Sequence, residues 1–132
     1  MASLHLDSQE VVDAAVVPDP SEPQACWDSY EASRRLCEVA ERLVPPRTGT
    51  PTGRSPITHL LVTVVCREGR VIDTINEHRW FRAWRYSNHL TNAIDGDIYV
   101  VTPNGWTGVM DRRAGLVPRL RPHLALAPRA SA

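Results

Sequence analysis

Between Asn76 and Ile94 the sequence gathers side chains able to grip an anion. Placed on a helix at about 100° per residue, His78, Arg82, Arg85, His89 and Asn92 fall within about 40° of one azimuth. Trp80, Ala83, Trp84, Ser87, Leu90, Thr91 and Ile94 take the opposite half, so the pattern is amphipathic with a tryptophan-rich inner side. Phe81 and Tyr86 fall near the borders. Guanidinium and imidazole donors edged by aromatic rings suit a phosphate backbone or an unstacked base, through ion pairing plus stacking. The same stripe also suits an acidic protein partner, or a plain solvated face. Arg79, Arg82, Arg85, His89, His78 and Tyr86 are therefore the expected nucleic-acid-binding residues.

His78 and His89 share an azimuth but stand eleven residues apart, about 16 Å along a helix, too far for one metal ion to touch both. The chain has no CxxC, HxxxH or HExxH pattern, and its glycines occur singly rather than in a phosphate-cradling loop. Asp95-Gly96-Asp97 could offer oxygens to a divalent ion, as nuclease sites do; the plainer reading is a helix stop followed by a strand start. His59 and Cys66, seven residues apart on one strand, would be separated by roughly 23 Å, which argues against a dyad. Trp106, just after Asn104-Gly105, could anchor a ligand at a hairpin tip or pack inward. No catalytic residue, metal or cofactor is assigned.

The elements that must hold these groups follow from patterning. Asp28 with Glu31 opens a helix as a capping pair. Ala32, Leu36, Val39, Ala40 and Leu43 form its apolar stripe, Glu31–Arg35, Arg34–Glu38 and Glu38–Arg42 its outer pairs, and Pro45-Pro46 its end. Residues 45–56, with four Pro and two Gly, read as a linker. Ile57 to Cys66 is a β-branched run suited to a buried strand, and Glu68-Gly69 turns it into a returning strand over Arg70 to Ile75. The second helix then runs from a cap at Asn76 to a stop at Asp95-Gly96. Asp97 to Thr102, the turn Pro103-Asn104-Gly105 and Trp106 to Met110 complete a second hairpin.

This order predicts an α+β fold: a two-layer domain, α-β-β-α-β-β, with a four-stranded, mainly antiparallel sheet carrying both helices on one face. Residues 1–25 are expected as a disordered acidic leader, 26–117 as a single domain and 118–132 as a disordered tail.

Charge sharpens the functional expectation. The 132 residues carry fifteen basic and fifteen acidic side chains, and every basic one is Arg. Residues 1–44 hold nine acids against three arginines, a net of −6, which leaves +6 on residues 45–132. Such asymmetry points to nucleic-acid contact by the basic half, or to masking by the acidic one. The N-terminal residues lack a basic segment followed by a long apolar run, so no signal peptide or membrane span is expected. Three cysteines without a CxxC pair fit free thiols in a cytoplasmic setting. The leading expectation is a small, non-enzymatic, cytoplasmic protein that binds DNA or RNA through the second helix. The alternatives are a protein-interaction or self-associating regulatory module built on the acidic and basic parts, and a small metal-dependent hydrolase or nuclease.

Overall fold

The computed structural model describes residues 1–17, 29–50, 53–54 and 56–119. In chain order the elements are β1 (Ala2–His5), β2 (Val11–Ala14), α1 (Ser29–Leu43), β3 (Gly49–Thr50), β4 (Gly53–Arg54) and β5 (His59–Cys66). They continue with α2 (Ile75–Arg85), β6 (Ala93–Thr102), β7 (Gly105–Gly108) and β8 (Ala114–Gly115). Six strands form one mixed sheet in the order β2-β1-β5-β6-β7-β8, while β3 and β4 make a separate two-stranded ribbon.

The expected four-stranded, mainly antiparallel sheet in the order α-β-β-α-β-β is therefore overturned: the sheet has six strands, two of them precede α1, and one of its five pairings, β5 with β6, is parallel. Residues 1–17, expected within a disordered leader, supply β1 and β2; β1 pairs antiparallel with β5 from Ala2↔Val62 to His5↔His59. The sequence hides this because the inward residue of β1 is Ser3, fully buried, with Oγ donating to the Leu43 carbonyl at 3.5 Å and the Asp13 carbonyl at 3.4 Å. A strand whose buried position is a serine shows no apolar alternation. The remainder of the leader, residues 18–25, and the tail from 120 onward lie outside the described residues.

The returning strand over Arg70 to Ile75 is absent. Arg67 gathers that loop around its guanidinium, donating to the carbonyls of Glu68 (3.2 Å), Arg70 (3.4 Å) and Ile72 (2.5 Å). With the return path used by a loop, β5 instead pairs in parallel with β6 across α2, a β-α-β unit. The expected hairpin at Pro103-Asn104-Gly105 is present, joining β6 to β7 with Thr102 opposite Gly105.

Helix α1 buries its whole predicted stripe: Ala32, Leu36, Val39 and Ala40 are at most 1% exposed, and Leu43 is 7% exposed. Glu31 pairs with Arg35 and Arg34 at 2.8 Å each, and Arg34 also meets Glu38. The proposed cap, Asp28, lies outside the described residues. Both helices cover the sheet face that carries Ser3, Leu61 and Thr63. On that face the core joins the α1 stripe to Leu61, Ile98 and Val100 from the sheet and Ala83 and Trp84 from α2. On the opposite face Val64 and Ile94 stay about two-fifths exposed, at 39% and 41%.

Candidate nucleic-acid interface and the adjoining cleft

Helix α2 begins two residues earlier than the cap expected at Asn76 implies. Thr74 is the cap: its Oγ1 accepts from the Asn76 amide at 3.3 Å, while the Glu77 carboxylate accepts from the Thr74 amide at 2.5 Å. Thr74-x-x-Glu77 is the sequence signature of this reciprocal arrangement, and it was open to view. Glu77 is fully buried and also receives Arg67 Nε at 2.8 Å. Burial works to raise its pKa, but the Thr74 hydroxyl, the Arg67 guanidinium and the Thr74 amide outweigh it and hold the carboxyl below its usual range. One ionised side chain thus ties the start of α2 to the end of β5.

The helix also stops early, at Arg85 rather than near Ile94. Tyr86 caps it and Ser87 closes the last turn, its amide and Oγ donating to the Trp84 carbonyl at 3.0 and 2.8 Å. Short polar side chains such as Ser87 and Asn88 offer the backbone partners that compete with helix continuation. The chain then runs extended beside residues 45–47, with the Arg47 amide on the Leu90 carbonyl (2.7 Å) and the Asn92 amide on the Pro45 carbonyl (3.2 Å). Asp95 and Asp97 accordingly sit in β6, not at a helix stop.

This divides the expected stripe. His78, Arg82 and Arg85 are exposed on the outward face of α2, Arg79 is half-buried at its flank, and Tyr86 at the C-cap is 70% exposed. Arg79, Arg82 and Arg85 have no salt bridge or side-chain hydrogen bond among the described residues. The arginines Arg34 and Arg35 on α1, by contrast, are paired with glutamates. His78 is engaged: its Nε2 meets Asp73 at 2.7 Å, and the same carboxylate takes Arg112 at 3.2 Å. Burial pushes against ionisation of Asp73, yet the bond to His78 and the nearby Arg112 leave its pKa lowered.

His89 and Asn92 do not belong to this face. His89 lies in the segment after α2 with its side chain only 7% exposed, Nδ1 on Thr91 Oγ1 at 2.7 Å and Nε2 on Asp95 at 2.8 Å. Its ring meets Trp84 edge-on at 5.8 Å. The shared azimuth was a coincidence of spacing, since the helix ends before either residue is reached.

The structure supplies instead a feature that patterning missed. A cleft of about 420 Å³ opens beside Arg85, walled by Phe81, Trp84 and Met110 and floored by Asp95, Gly96 and Asp97. It exists because β6 bulges: Leu61 pairs with Asp95 and Thr63 with Ile98, so two steps of β5 face three of β6. Gly96 permits this close approach, because a Cβ there would lie 2.8 Å from the Leu61 carbonyl oxygen. A lone glycine inside a strand pattern is the sequence signal for such a bulge.

The two carboxylates have different work. Asp97 is consumed by backbone, accepting from the amides of Ile98 (2.7 Å), Met110 (2.9 Å) and Asp111 (3.0 Å). Asp95 uses Oδ1 for His89, and its Oδ2 takes no hydrogen bond among the described residues. Trp84 is fixed by its indole N–H, which donates to Thr63 Oγ1 at 2.8 Å in the core. Trp106 is half-buried against Tyr99, centroids 5.7 Å apart, with Nε1 donating to the Val117 carbonyl, so it packs rather than projects.

Among the described residues no group of three or more His, Cys, Asp or Glu could hold a metal ion, and no helix is long and apolar enough to cross a membrane. Compared with known proteins, the chain matches no family model, no curated protein and no solved structure. Its class therefore rests on its own chemistry: a small mixed-sheet α+β protein with a cationic helix face beside an aromatic cleft.

Proposed function

We propose that this protein binds single-stranded nucleic acid through the outward face of α2. One observation carries the reading: Arg79, Arg82 and Arg85 lie on one helix of eleven residues, and none has an acidic partner among the described residues. A free guanidinium keeps its planar fork of donors available for a phosphate oxygen pair. Tyr86, 70% exposed at the helix end, and Phe81 beside the cleft offer ring faces on which an unstacked base can rest. The fit favours a single strand, whose bases are free to reach those rings. A cytoplasmic setting, where such ligands are abundant, accords with the free thiols of Cys37 and Cys66.

The reading is tested with a fluorescein-labelled twelve-nucleotide thymidine oligomer at low salt. Replacing Arg82→Glu together with Arg85→Glu should weaken binding by about 10-fold or more, since two phosphate contacts turn repulsive. Circular dichroism checks that the double variant is folded. A folded double variant that binds as the parent does would eliminate the reading. Light scattering at low and high salt separates it from the other charge-based outcome, self-association between the acidic edge hairpin (Asp7, Glu10, Asp13) and a second copy's α2. A mass that doubles at low salt and is restored to the monomer by the same double variant would favour assembly instead.

A further inference from the structure

The cleft beside Arg85 has a shape and a polarity that plain phosphate binding leaves unused. We infer that it seats one unstacked nucleobase, and that it selects a base carrying an exocyclic amino group over thymine or uracil. The inference rests on the reading of α2 as a nucleic-acid face.

At about 420 Å³ the cleft lies within the range of small-molecule sites, roughly 300–1,000 Å³. Phe81 and Met110 line it together with the 6% of Trp84 that stays exposed, apolar and polarisable surface that favours a flat ligand. Trp84 is pre-set for this, held at one end by Thr63 and crossed by the His89 ring, so seating a base costs little reordering there. Arg85 lines the same cleft with its guanidinium unpaired, in place to take the phosphate next to a base that leaves the stack.

Selectivity follows from a side-chain acceptor of the cleft, Asp95 Oδ2, that takes no hydrogen bond among the described residues. Asp97 cannot read a base, because three backbone amides already occupy its oxygens. Asp95 can, through Oδ2, while Oδ1 and its orientation are fixed by His89. His89 is itself anchored by Thr91, so it acts as the positioning residue for Asp95. A carboxylate oxygen only accepts, and an exocyclic amino group donates to it without a flanking carbonyl on both sides. The imide N–H of thymine or uracil is flanked by two carbonyl oxygens, which would press lone pairs toward the same carboxylate. Asp95 keeps 37% of its side chain exposed, so water tempers the discrimination that the mismatch of lone pairs produces.

The experiment compares two labelled oligomers of equal length and charge: twelve thymidines, and the same strand with one central cytidine. Any difference between them comes from the base, not from phosphate count. A single hydrogen bond to the base is expected to tighten binding of the cytidine strand by about 3- to 10-fold. Asp95→Asn should abolish that preference, read as the ratio of the two strands' affinities so that any change common to both, such as an altered field at Arg85, cancels. Phe81→Leu, which changes no charge and leaves the His89–Asp95 bond in place, should reduce the preference by removing the stacking wall. Equal binding of the two strands by the parent protein, or a preference that survives Asp95→Asn, overturns the inference and leaves the α2 reading standing. Failure of both strands to bind at all overturns the two together.

Discussion

Removing the charge of Glu77 tests how the binding face is held in place. In the parent, the carboxylate is fully buried and receives Arg67, Thr74 Oγ1 and the Thr74 amide. Glu77→Gln keeps the volume and one acceptor, but it leaves Arg67 without its counter-charge and weakens the reciprocal cap. Breaking a fully buried pair from one side costs about 3–5 kcal/mol. Arg67 keeps 25% of its side chain exposed and so retains some hydration, which lowers that figure. Adding part of a cap, about 1 kcal/mol, gives an expected loss of ~2–4 kcal/mol. Urea unfolding followed by far-ultraviolet circular dichroism reads it directly, and the thermal midpoint should drop by roughly 10–25 °C for a domain of this size. A loss below about 0.5 kcal/mol, the scale of an ordinary surface change, would refute the reasoning. The pH dependence gives an independent check. Because the folded pKa of Glu77 lies below its ordinary value of 4.5, its contribution is present above that value and disappears as pH falls through the lower folded value. Glu31, drawn down to about 2 by hydrogen bonds from Arg34 and Arg35, behaves with the same sign. Parent stability should therefore fall as pH drops below about 4.5, and the Glu77→Gln profile should be flatter there.

Two further substitutions probe the cleft as a built feature. Gly96→Ala sets a Cβ 2.8 Å from the Leu61 carbonyl oxygen and 3.1 Å from a Leu60 methyl, so the bulge must shift; a loss of ~1–3 kcal/mol is expected in the same unfolding assay. A neutral Gly96→Ala would mean that the bulge does not need glycine. Trp84→Phe leaves Thr63 Oγ1, on a residue 5% exposed, without its indole donor and should cost ~1–3 kcal/mol; an unchanged midpoint would show that the bond contributes nothing net.

Legibility in the sequence followed the physics of each element. The stripe of α1 was readable because five apolar residues at helical spacing all face the core, and β5 because its long β-branched run favours an extended chain. The β6–β7 turn was readable because Asn104-Gly105 meets a local backbone demand, φ of +140° at Gly105. What failed depended on contacts distant in sequence. Strand β1 is stabilised by pairing with β5 and by Ser3 reaching Leu43, forty residues away, neither of which local alternation reveals. The end of α2 was overrun because His89 and Asn92 continue its azimuth by chance, while the segment carrying them is claimed by pairing with residues 45–47. Parallel pairing of β5 with β6 likewise followed from Arg67 occupying the return loop. The three arginines of the candidate face were legible because exposure on a charged helix face is a local property. The cleft was not, since it joins α2, a bulge in β6 and the β7–β8 turn.

The most direct test of the central claim is the salt dependence of oligonucleotide binding. For the thymidine dodecamer, a plot of log Kd against log salt concentration between 50 and 300 mM should rise with a slope of about 2, from three arginine–phosphate contacts on a single strand at about 0.7 each. The Arg82→Glu, Arg85→Glu variant, with only Arg79 left, should bind weakly with a slope of about 0.7 or less. A parent affinity indifferent to salt, or a folded double variant with the parent's affinity and slope, would contradict the account.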